Sequence, residues 1–421
     1  MDSGFSAYWR LLRDNANFRR LWGAQVVSEI GDWFYAVAIY NLLLELTGTA
    51  TSVGAAVVVQ VLPQTFMGPT AGVVNDRVRR KHVMIAADLA RIFVVLGMLL
   101  VRTRSMVWMV YPLLFLETMM TSFFEPARSA VVPNITSERE LLAANTLSSI
   151  TWSFNLAIGA MLGGVVAVLL GRDAVFALNS VSFLVSAWLI ARMRFAEPHV
   201  AGSPPFRARE LVDFSPILEG LRYIRSDARL LSTVFVKFGI GFIGANNVLL
   251  PLFGERVFPV PVAGLSQQRA AMLGMSLLMG ARGVGALLGP IVSGIWAGER
   301  HDRLRTGILI GFMAAALGYI AIGFAPNLGI ALCAVILAHA GGSTNWVFSS
   351  TLLQIYTEDR YRGRVFSAEL GLLTLTIAVS SFLASQFVDR GVPLRAVAIG
   401  TGVAALVPAV GWALTLRGGS R

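Results

Sequence analysis

Long apolar runs separated by short polar segments make up most of this chain. Runs of about 20 residues, enough for a helix to cross roughly 30 Å of hydrocarbon, recur from one end to the other. A membrane barrel would instead show alternating polarity over about ten residues per strand, and the runs do not alternate. Helices satisfy their own backbone hydrogen bonds in lipid, so the pattern predicts an all-α integral membrane protein. We predict twelve spans: 21–47, 51–74, 82–101, 107–126, 141–169, 173–193, 229–250, 268–297, 306–324, 327–352, 365–388 and 394–416.

The composition agrees with a chain dissolved in lipid. Hydrophobic residues make up 55% of the chain and charged residues 14%, whereas soluble proteins carry about 25% charged residues. The segment "MDSGFSAYWRLLRDNANFRRLW" (1–22) lacks the short apolar core and cleavage site of a signal peptide. It predicts an amphipathic helix on the inner membrane surface. The single Cys333 excludes a disulfide within the chain.

The basic residues predict the orientation. With the N-terminus inside, the cytoplasmic segments hold 25 of the 35 Lys and Arg residues. This distribution follows the positive-inside rule and places both termini in the cytoplasm. The net charge of +11 is spread over alternate loops rather than gathered on one face, which argues against nucleic-acid binding.

The two halves of the chain resemble each other. The segment "AGVVNDRVRRK" (71–81) follows span 2, and "AGERHDRLR" (297–305) follows span 8 at the corresponding position. We predict an N-terminal six-helix bundle (1–193), a cytoplasmic linker (194–215) rich in proline and charge, and a C-terminal six-helix bundle (216–421).

The motif after span 2 carries a family resemblance. Gly72, Asp76, Arg77 and Arg80 stand at the spacing found in the major facilitator superfamily of transporters, which the chain resembles over nearly its whole length. The resemblance implies twelve helices in two pseudo-symmetric six-helix bundles. Three further segments resemble the bacterial efflux branch that includes macrolide, multidrug and enterobactin exporters: "NFRRLWGAQVVSEIGDW" (17–33), "FEPARSAVVP" (124–133) and "RYRGRVFS" (360–367).

This motif is predicted to act as a cytoplasmic gate. Gly72 is expected to allow close helix approach, and Asp76 to lie against a helix N-terminus, which the resemblance implies is that of span 11. Arg77 and Arg80 are expected to pair with carboxylates at the ends of spans 3 and 4. The alternative is that the basic loop only orients the spans. The candidate gating partners are Asp88, Arg91 and Glu125, with Asp88 and Arg91 also expected to pair with each other. The second copy of the motif supplies Asp302, Arg303 and Arg305.

Carboxylates inside the predicted spans are candidates for proton coupling, because charge is costly in the bilayer. Asp32 lies about 15 Å into span 1, at about 1.5 Å per residue, and Glu117 lies at a similar depth in span 4. A poorly solvated carboxylate can exchange a proton for substrate, and Glu29, one turn before Asp32, is expected to assist. The alternative is a permanently ionised Asp32 that forms a structural bridge with Arg282 or Lys237.

Other polar and aromatic residues of the spans are candidates for a substrate cavity between the two halves. The alternative for each is a structural role. Most aromatic residues in spans face lipid or the protein core, and a lone histidine is usually a hydrogen-bonded packing residue. Together with the acids they suit a large, partly apolar ligand, including cationic ones. The candidates are Trp33, Tyr35, Trp152, Asn246, Arg282, His339, Asn345 and Trp346.

Glycines at four-residue spacing predict close helix crossings, at Gly159 and Gly163 in span 5 and at Gly285 and Gly289 in span 8. The run "GIGFIG" (239–244) lies inside a span without a strand-turn-helix context, so we do not assign it to nucleotide binding.

These features predict a proton-driven exporter of amphipathic, drug-like or macrolide-like compounds from a bacterial cytoplasm. The alternatives are a dedicated siderophore exporter, a lysophospholipid flippase or a membrane receptor that does not transport. Enzyme motifs are lacking, and no cofactor or metal is expected. The expected partners are a small-molecule substrate, protons and lipid, and we expect a monomer.

Overall fold

The computed structural model describes residues 4–197, 215–262, 266–298 and 300–418. Most of the predicted linker, 194–215, lies outside these residues. Within them the chain forms helices and no strand. In chain order the α-helices are α1 (Gly4–Asp14), α2 (Ala16–Thr47), α3 (Ala50–Arg77), α4 (Arg80–Gly97), α5 (Val110–Ile135), α6 (Glu138–Leu170), α7 (Arg172–Ala191), α8 (Ser215–Ser226), α9 (Ala228–Phe242), α10 (Asn246–Arg256), α11 (Gln267–Ala297), α12 (His301–Phe324), α13 (Leu328–Tyr356), α14 (Asp359–Asp389) and α15 (Leu394–Gly418).

Every predicted span coincides with helix in the structure. Among the described residues, ten helical segments are both long enough and apolar enough to cross a membrane. Helices α2, with 32 residues, and α3, with 28, are also long enough to cross. The prediction of an all-α membrane protein is therefore confirmed.

The seventh predicted span is broken rather than continuous. Helix α9 ends at Phe242, a 3-10 turn covers Ile243–Ala245, and α10 begins at Asn246. A Cβ atom added at Gly244 would lie 2.7 Å from the Cα atom of Ile377 in α14, so the backbones are nearly in contact here. The run "GIGFIG" therefore serves helix packing.

The contacts between residues divide the chain into two units. The first unit contains residues 1–39 and 66–213, and the second contains residues 40–65 and 214–421. The end of α2 and the first half of α3 thus group with the C-terminal helices, an arrangement that the internal repeat does not predict. In the second unit Phe253, Leu278 and Tyr319 are fully buried in the core.

The core of the first unit includes the N-terminal helix. Leu11 of α1 is buried together with Phe18, Met84 and Phe124, while Trp9 is 65% exposed. Helix α1 is therefore amphipathic, as the sequence predicts. Its apolar face packs on the helices of the first unit.

The predicted close approach of helices at glycines is confirmed at Gly159 and Gly163 and is wrong at Gly72. A Cβ atom added at Gly163 would lie 2.8 Å from the Phe34 Cα atom, and one at Gly159 would lie 2.9 Å from the Trp33 Cβ atom. Helix α6 therefore crosses α2 with the backbones close together. At Gly72 an added Cβ atom would meet no heavy atom of the described residues within 4 Å.

Candidate functional site

Four carboxylates gather in the membrane-spanning helices of the first unit. We call Glu29 and Asp32 of α2, Asp88 of α4 and Glu117 of α5 the acidic cluster. Asp32 interacts electrostatically with each of the other three. The structure thus brings together all three predicted proton-coupling residues, and it adds Asp88.

Arg91 supplies the nearest positive charge to Asp32. Its Nη1 atom lies 3.9 Å from Asp32 Oδ2, and its Nη2 atom bonds to Asp88. Ser186 donates a hydrogen bond of 2.7 Å to the other oxygen of Asp88. The predicted Asp88–Arg91 pair is confirmed. Asp32 makes a longer contact with Arg91 than Asp88 does.

Arg91 is held in place by aromatic rings. Its guanidinium carbon lies 4.2 Å from the centroid of the Phe183 ring and 4.7 Å from that of the Phe124 ring. The side chain is only 3% exposed. One fixed cation therefore faces several acids, and Asp32 Oδ1, which is buried, has no hydrogen-bond partner among the described residues.

Glu117 lies in a less charged setting. The side chain is buried, and the Thr121 hydroxyl donates a hydrogen bond of 3.1 Å to Glu117 Oε1. An uncharged donor stabilises a carboxylate less than an ion pair does. Glu117 and Asp32 therefore share Arg91 as the nearby positive charge.

Glu29 belongs to a chain of hydrogen bonds that the sequence analysis missed. Gln25 Nε2 donates to Glu29 Oε1 at 2.8 Å, and Asn155 Nδ2 donates to Glu29 Oε2 at 2.9 Å. Arg128 Nη1 donates to Gln25 Oε1 at 3.2 Å and pairs through Nη2 with Glu125 at 2.7 Å. Gln25 stands one turn before Glu29, a spacing at which side chains meet on a helix. The four-residue spacing of Gln25 and Glu29 is the sequence feature from which their contact could have been predicted.

The gating motif turns tightly between helices, and its Arg80 contacts backbone carbonyls. Helix α3 ends at Arg77 and α4 begins at Arg80, so two residues separate the helices. Arg80 donates to the carbonyl oxygens of Asn75 (3.3 Å) and Ala130 (3.1 Å). The Asp76 side chain lies outside the described residues, so its contact with a helix N-terminus stays a prediction.

Asp88 and Glu125, the expected partners of the motif arginines, are paired with other arginines. Arg91 and Arg128, each three residues along the same helix, take these two carboxylates instead. A neighbour one helical turn away reaches the acid at lower entropic cost than an arginine from another helix.

The second copy of the motif makes contacts of the same kind. Arg303 donates to the Trp296 carbonyl at 2.6 Å, and Arg305 donates to the Thr415 carbonyl at 3.0 Å. Both carbonyls lie in the last turn of a helix, where intrahelical partners are missing and positive charge is favourable. Asp302 lies in the first turn of α12, where negative charge is favourable.

The candidate cavity residues of the first unit differ in accessibility. The Trp33 and Trp152 rings meet edge to face at 6.2 Å, and Trp152 is 48% exposed. Tyr35 is buried and packs against the Phe176 ring, with its hydroxyl lacking a partner among the described residues. Tyr35 therefore does not line an open cavity in this structure.

In the second unit two candidate cavity residues, Trp346 and Asn345, make contacts within the protein. Trp346 stacks on Lys237, whose Nζ atom lies 4.2 Å from the ring centroid and 2.9 Å from Glu369 Oε2. Lys237, named above as one alternative bridge partner of Asp32, is paired here with Glu369 on α14. Asn345 is fully buried, and the hydrogen-bonding orientation of its amide joins Ile308 O and Phe312 N.

Two of the remaining candidates, Arg282 and His339, interact electrostatically with each other. Arg282 Nη1 donates to Asn247 Oδ1 at 2.9 Å, and Tyr319 bonds through its hydroxyl to His339 Nε2 at 3.0 Å. Asn246 donates to the Ile243 carbonyl at 2.8 Å. In the part of the chain that the structure describes, no group of three or more His, Cys, Asp and Glu residues is placed to hold a metal.

Known proteins with a similar sequence include two that are named for efflux or export. Macrolide efflux protein A of Streptococcus pyogenes is 26% identical over 393 residues, covering 91% of this chain and 90% of that protein. The putative bacilysin exporter BacE of Bacillus amyloliquefaciens is 26% identical over 372 residues, covering 87% and 88%.

Solved structures and a family profile agree on the fold. The crystal structure of a mutant of the nucleoside transporter NupG matches with a TM-score of 0.75 at 11% identity, over 95% of this chain and 99% of that one. The profile of the Major Facilitator Superfamily matches residues 21–369. The chain therefore belongs to the major facilitator superfamily and is a multi-pass membrane transporter rather than an enzyme.

Proposed function

We propose that this transporter is a proton-driven exporter that moves amphipathic small molecules out of the cytoplasm. The observation that carries the proposal is the acidic cluster, in which Asp32 has one oxygen without a partner among the described residues and shares a single fixed Arg91 with Asp88. A membrane-embedded carboxylate that is incompletely neutralised gains stability by taking up a proton. The similarity to macrolide and bacilysin exporters supports the direction of transport.

In this mechanism Asp32 holds the transported proton. Arrival of a substrate, or opening toward the cytoplasm, favours the ionised carboxylate, which Arg91 stabilises. Glu117 lies close enough to influence the same proton. The hydrogen-bonded chain from Glu29 through Gln25 and Arg128 ends at Glu125, which is 45% exposed, and offers a polar route out of the cluster.

The proposal also covers where the protein is located and how it is oriented in the membrane. The protein lies in the bacterial cytoplasmic membrane with both termini in the cytoplasm, and it acts as a monomer. The basic loops support this orientation. Single cysteines in loops 75–81 and 298–305, on a Cys333→Ser background, should resist membrane-impermeant thiol reagents in intact cells. Labelling of these loops from outside contradicts the orientation.

Transport by purified protein tests the function. Proteoliposomes with an imposed pH gradient are assayed for movement of ethidium, erythromycin and a catecholate siderophore. Movement of ethidium or erythromycin that collapses with the pH gradient supports the proposal. Movement of the siderophore alone indicates a dedicated siderophore exporter, and movement that ignores the gradient excludes proton coupling.

A further inference from the structure

Arg282 lies at the middle of a membrane-spanning helix. It is 15 residues from Gln267 and 15 from Ala297, the two ends of α11. At a rise of about 1.5 Å per residue, it is about 22 Å from each end. A guanidinium at this depth is costly and needs an anion or a polar cavity.

The second unit does not supply that anion in the part the structure describes. The hydrogen bond that Arg282 makes is to the neutral amide of Asn247, at 2.9 Å. The carboxylates of the neighbouring helices have other partners. Glu369 binds Lys237, Glu255 binds Arg256, and Asp389 binds backbone N–H groups of α3.

The described residues place three further polar side chains near Arg282. Tyr40, Tyr319 and His339 interact with it electrostatically. A guanidinium carries five N–H donors in a planar fork, and the contact with Asn247 uses one of its nitrogens. The side chain is half-buried rather than fully buried, which leaves part of it accessible.

Two other cations inside the spans differ from Arg282 because each is paired with a carboxylate. Lys237 has Glu369, and Arg91 has Asp88. Each of these cations is neutralised by an acid of its own unit. Arg282 is the membrane-embedded cation of the second unit for which the described residues provide a neutral partner alone.

We propose that Arg282, assisted by Asn247, binds a carboxylate of the transported molecule. One guanidinium neutralises one negative charge, and its fork matches the two oxygens of a carboxylate. A phosphate, with more oxygens and up to two charges, would stay incompletely neutralised. This inference rests on the proposed function as a small-molecule exporter, and it adds amphipathic molecules that carry a carboxylate to the expected substrates.

Matched dyes test the assignment by binding rather than by transport. Rhodamine 110 carries a free carboxylate, and rhodamine 123 is the methyl ester of the same dye. Fluorescence anisotropy with protein in lipid nanodiscs gives both dissociation constants. Because no gradient is present, the result is independent of whether transport is proton-driven.

We expect wild-type protein to bind rhodamine 110 at least about tenfold more tightly than rhodamine 123, as a charged hydrogen bond permits. Arg282→Gln should abolish this preference, with a loss of affinity for the acid dye and none for the ester. Arg282→Lys, which keeps the charge, should retain part of it, and it serves as the test if Arg282→Gln fails to fold. Arg229→Gln, at an exposed arginine, is the control and should bind both dyes as wild type does.

Three outcomes overturn the assignment: wild type binding the ester as tightly as the acid, wild type binding neither dye, and Arg282→Gln keeping the preference. Recovery of an unstable Arg282→Gln variant by Asp32→Asn also overturns it. That recovery identifies Arg282 as the structural partner of Asp32 rather than of a ligand.

Discussion

Asp389 and Thr51 are joined by a hydrogen bond of 2.6 Å although 338 positions separate them in the chain. The Asp389 carboxylate, at the end of α14, accepts this bond from the Thr51 backbone N–H and another from Ala50 at 2.8 Å. Gln386, on the same helix, donates to the Thr51 hydroxyl at 2.9 Å. An anion therefore caps the N-terminus of α3, where backbone donors lack partners and the helix dipole favours negative charge.

Asp389→Ala should lower the thermal stability of the purified transporter. The variant leaves two backbone donors of α3 without their acceptor, and loss of a helix cap costs about 0.5–2 kcal/mol. The melting temperature in detergent, followed by tryptophan fluorescence, measures the effect. Asp389→Asn keeps one oxygen acceptor and should lose less.

Asp173→Ala is the matched control for Asp389. Asp173 pairs with Arg102 at 2.7 Å, and both side chains are about half exposed. Exposed ion pairs contribute about 0–1 kcal/mol. If Asp389→Ala and Asp173→Ala melt at the same temperature, the cap on α3 does not stabilise the protein.

Gly163→Ala should destabilise the protein far more than Gly72→Ala. A Cβ atom at position 163 would lie 2.8 Å from the Phe34 Cα atom, so helices α6 and α2 would have to move apart. Overpacking of this kind costs about 1–3 kcal/mol. At Gly72 the added atom meets no heavy atom of the described residues within 4 Å. The yield of monodisperse protein after heating compares the two variants, and equal yields contradict the close crossing.

Lys237 and Glu369 should behave as a coupled pair. Lys237→Met leaves a buried carboxylate without a cation, a change that costs about 3–5 kcal/mol in protein interiors. Lys237→Met combined with Glu369→Gln removes both charges and should recover most of the lost stability. Melting temperatures of the single and double variants give the coupling, and additive losses contradict the pair.

The helices could be predicted from the sequence because an apolar run of membrane-spanning length is stable in lipid only as a helix. The tight turn between α3 and α4 and the crossing at Gly163 were also predictable, because two-residue turns and glycine spacing are local features. The break in span 7 was not predicted, because its glycines pack against α14, which follows more than 100 positions later.

The partners of the charged residues could be predicted only within a helical turn. Asp88 and Arg91 lie three positions apart, and their pairing was expected. The bond from Asp389 to α3, the pair of Lys237 with Glu369 and the carbonyl contacts of Arg80 and Arg305 join distant segments. One sequence without a structure does not show which of many acids and carbonyls these side chains reach.

Proton-driven transport by variants of the acidic cluster tests the central claim most directly. Asp32→Asn, Glu117→Gln and the double variant are compared with wild type in proteoliposomes under an imposed pH gradient, with Asp173→Asn as the control. The amides keep the size of each side chain but cannot exchange a proton. We predict that Asp32→Asn reduces gradient-driven transport strongly, that the double variant abolishes it, and that all variants fold with normal yield. Full gradient-driven transport by the double variant would contradict the account.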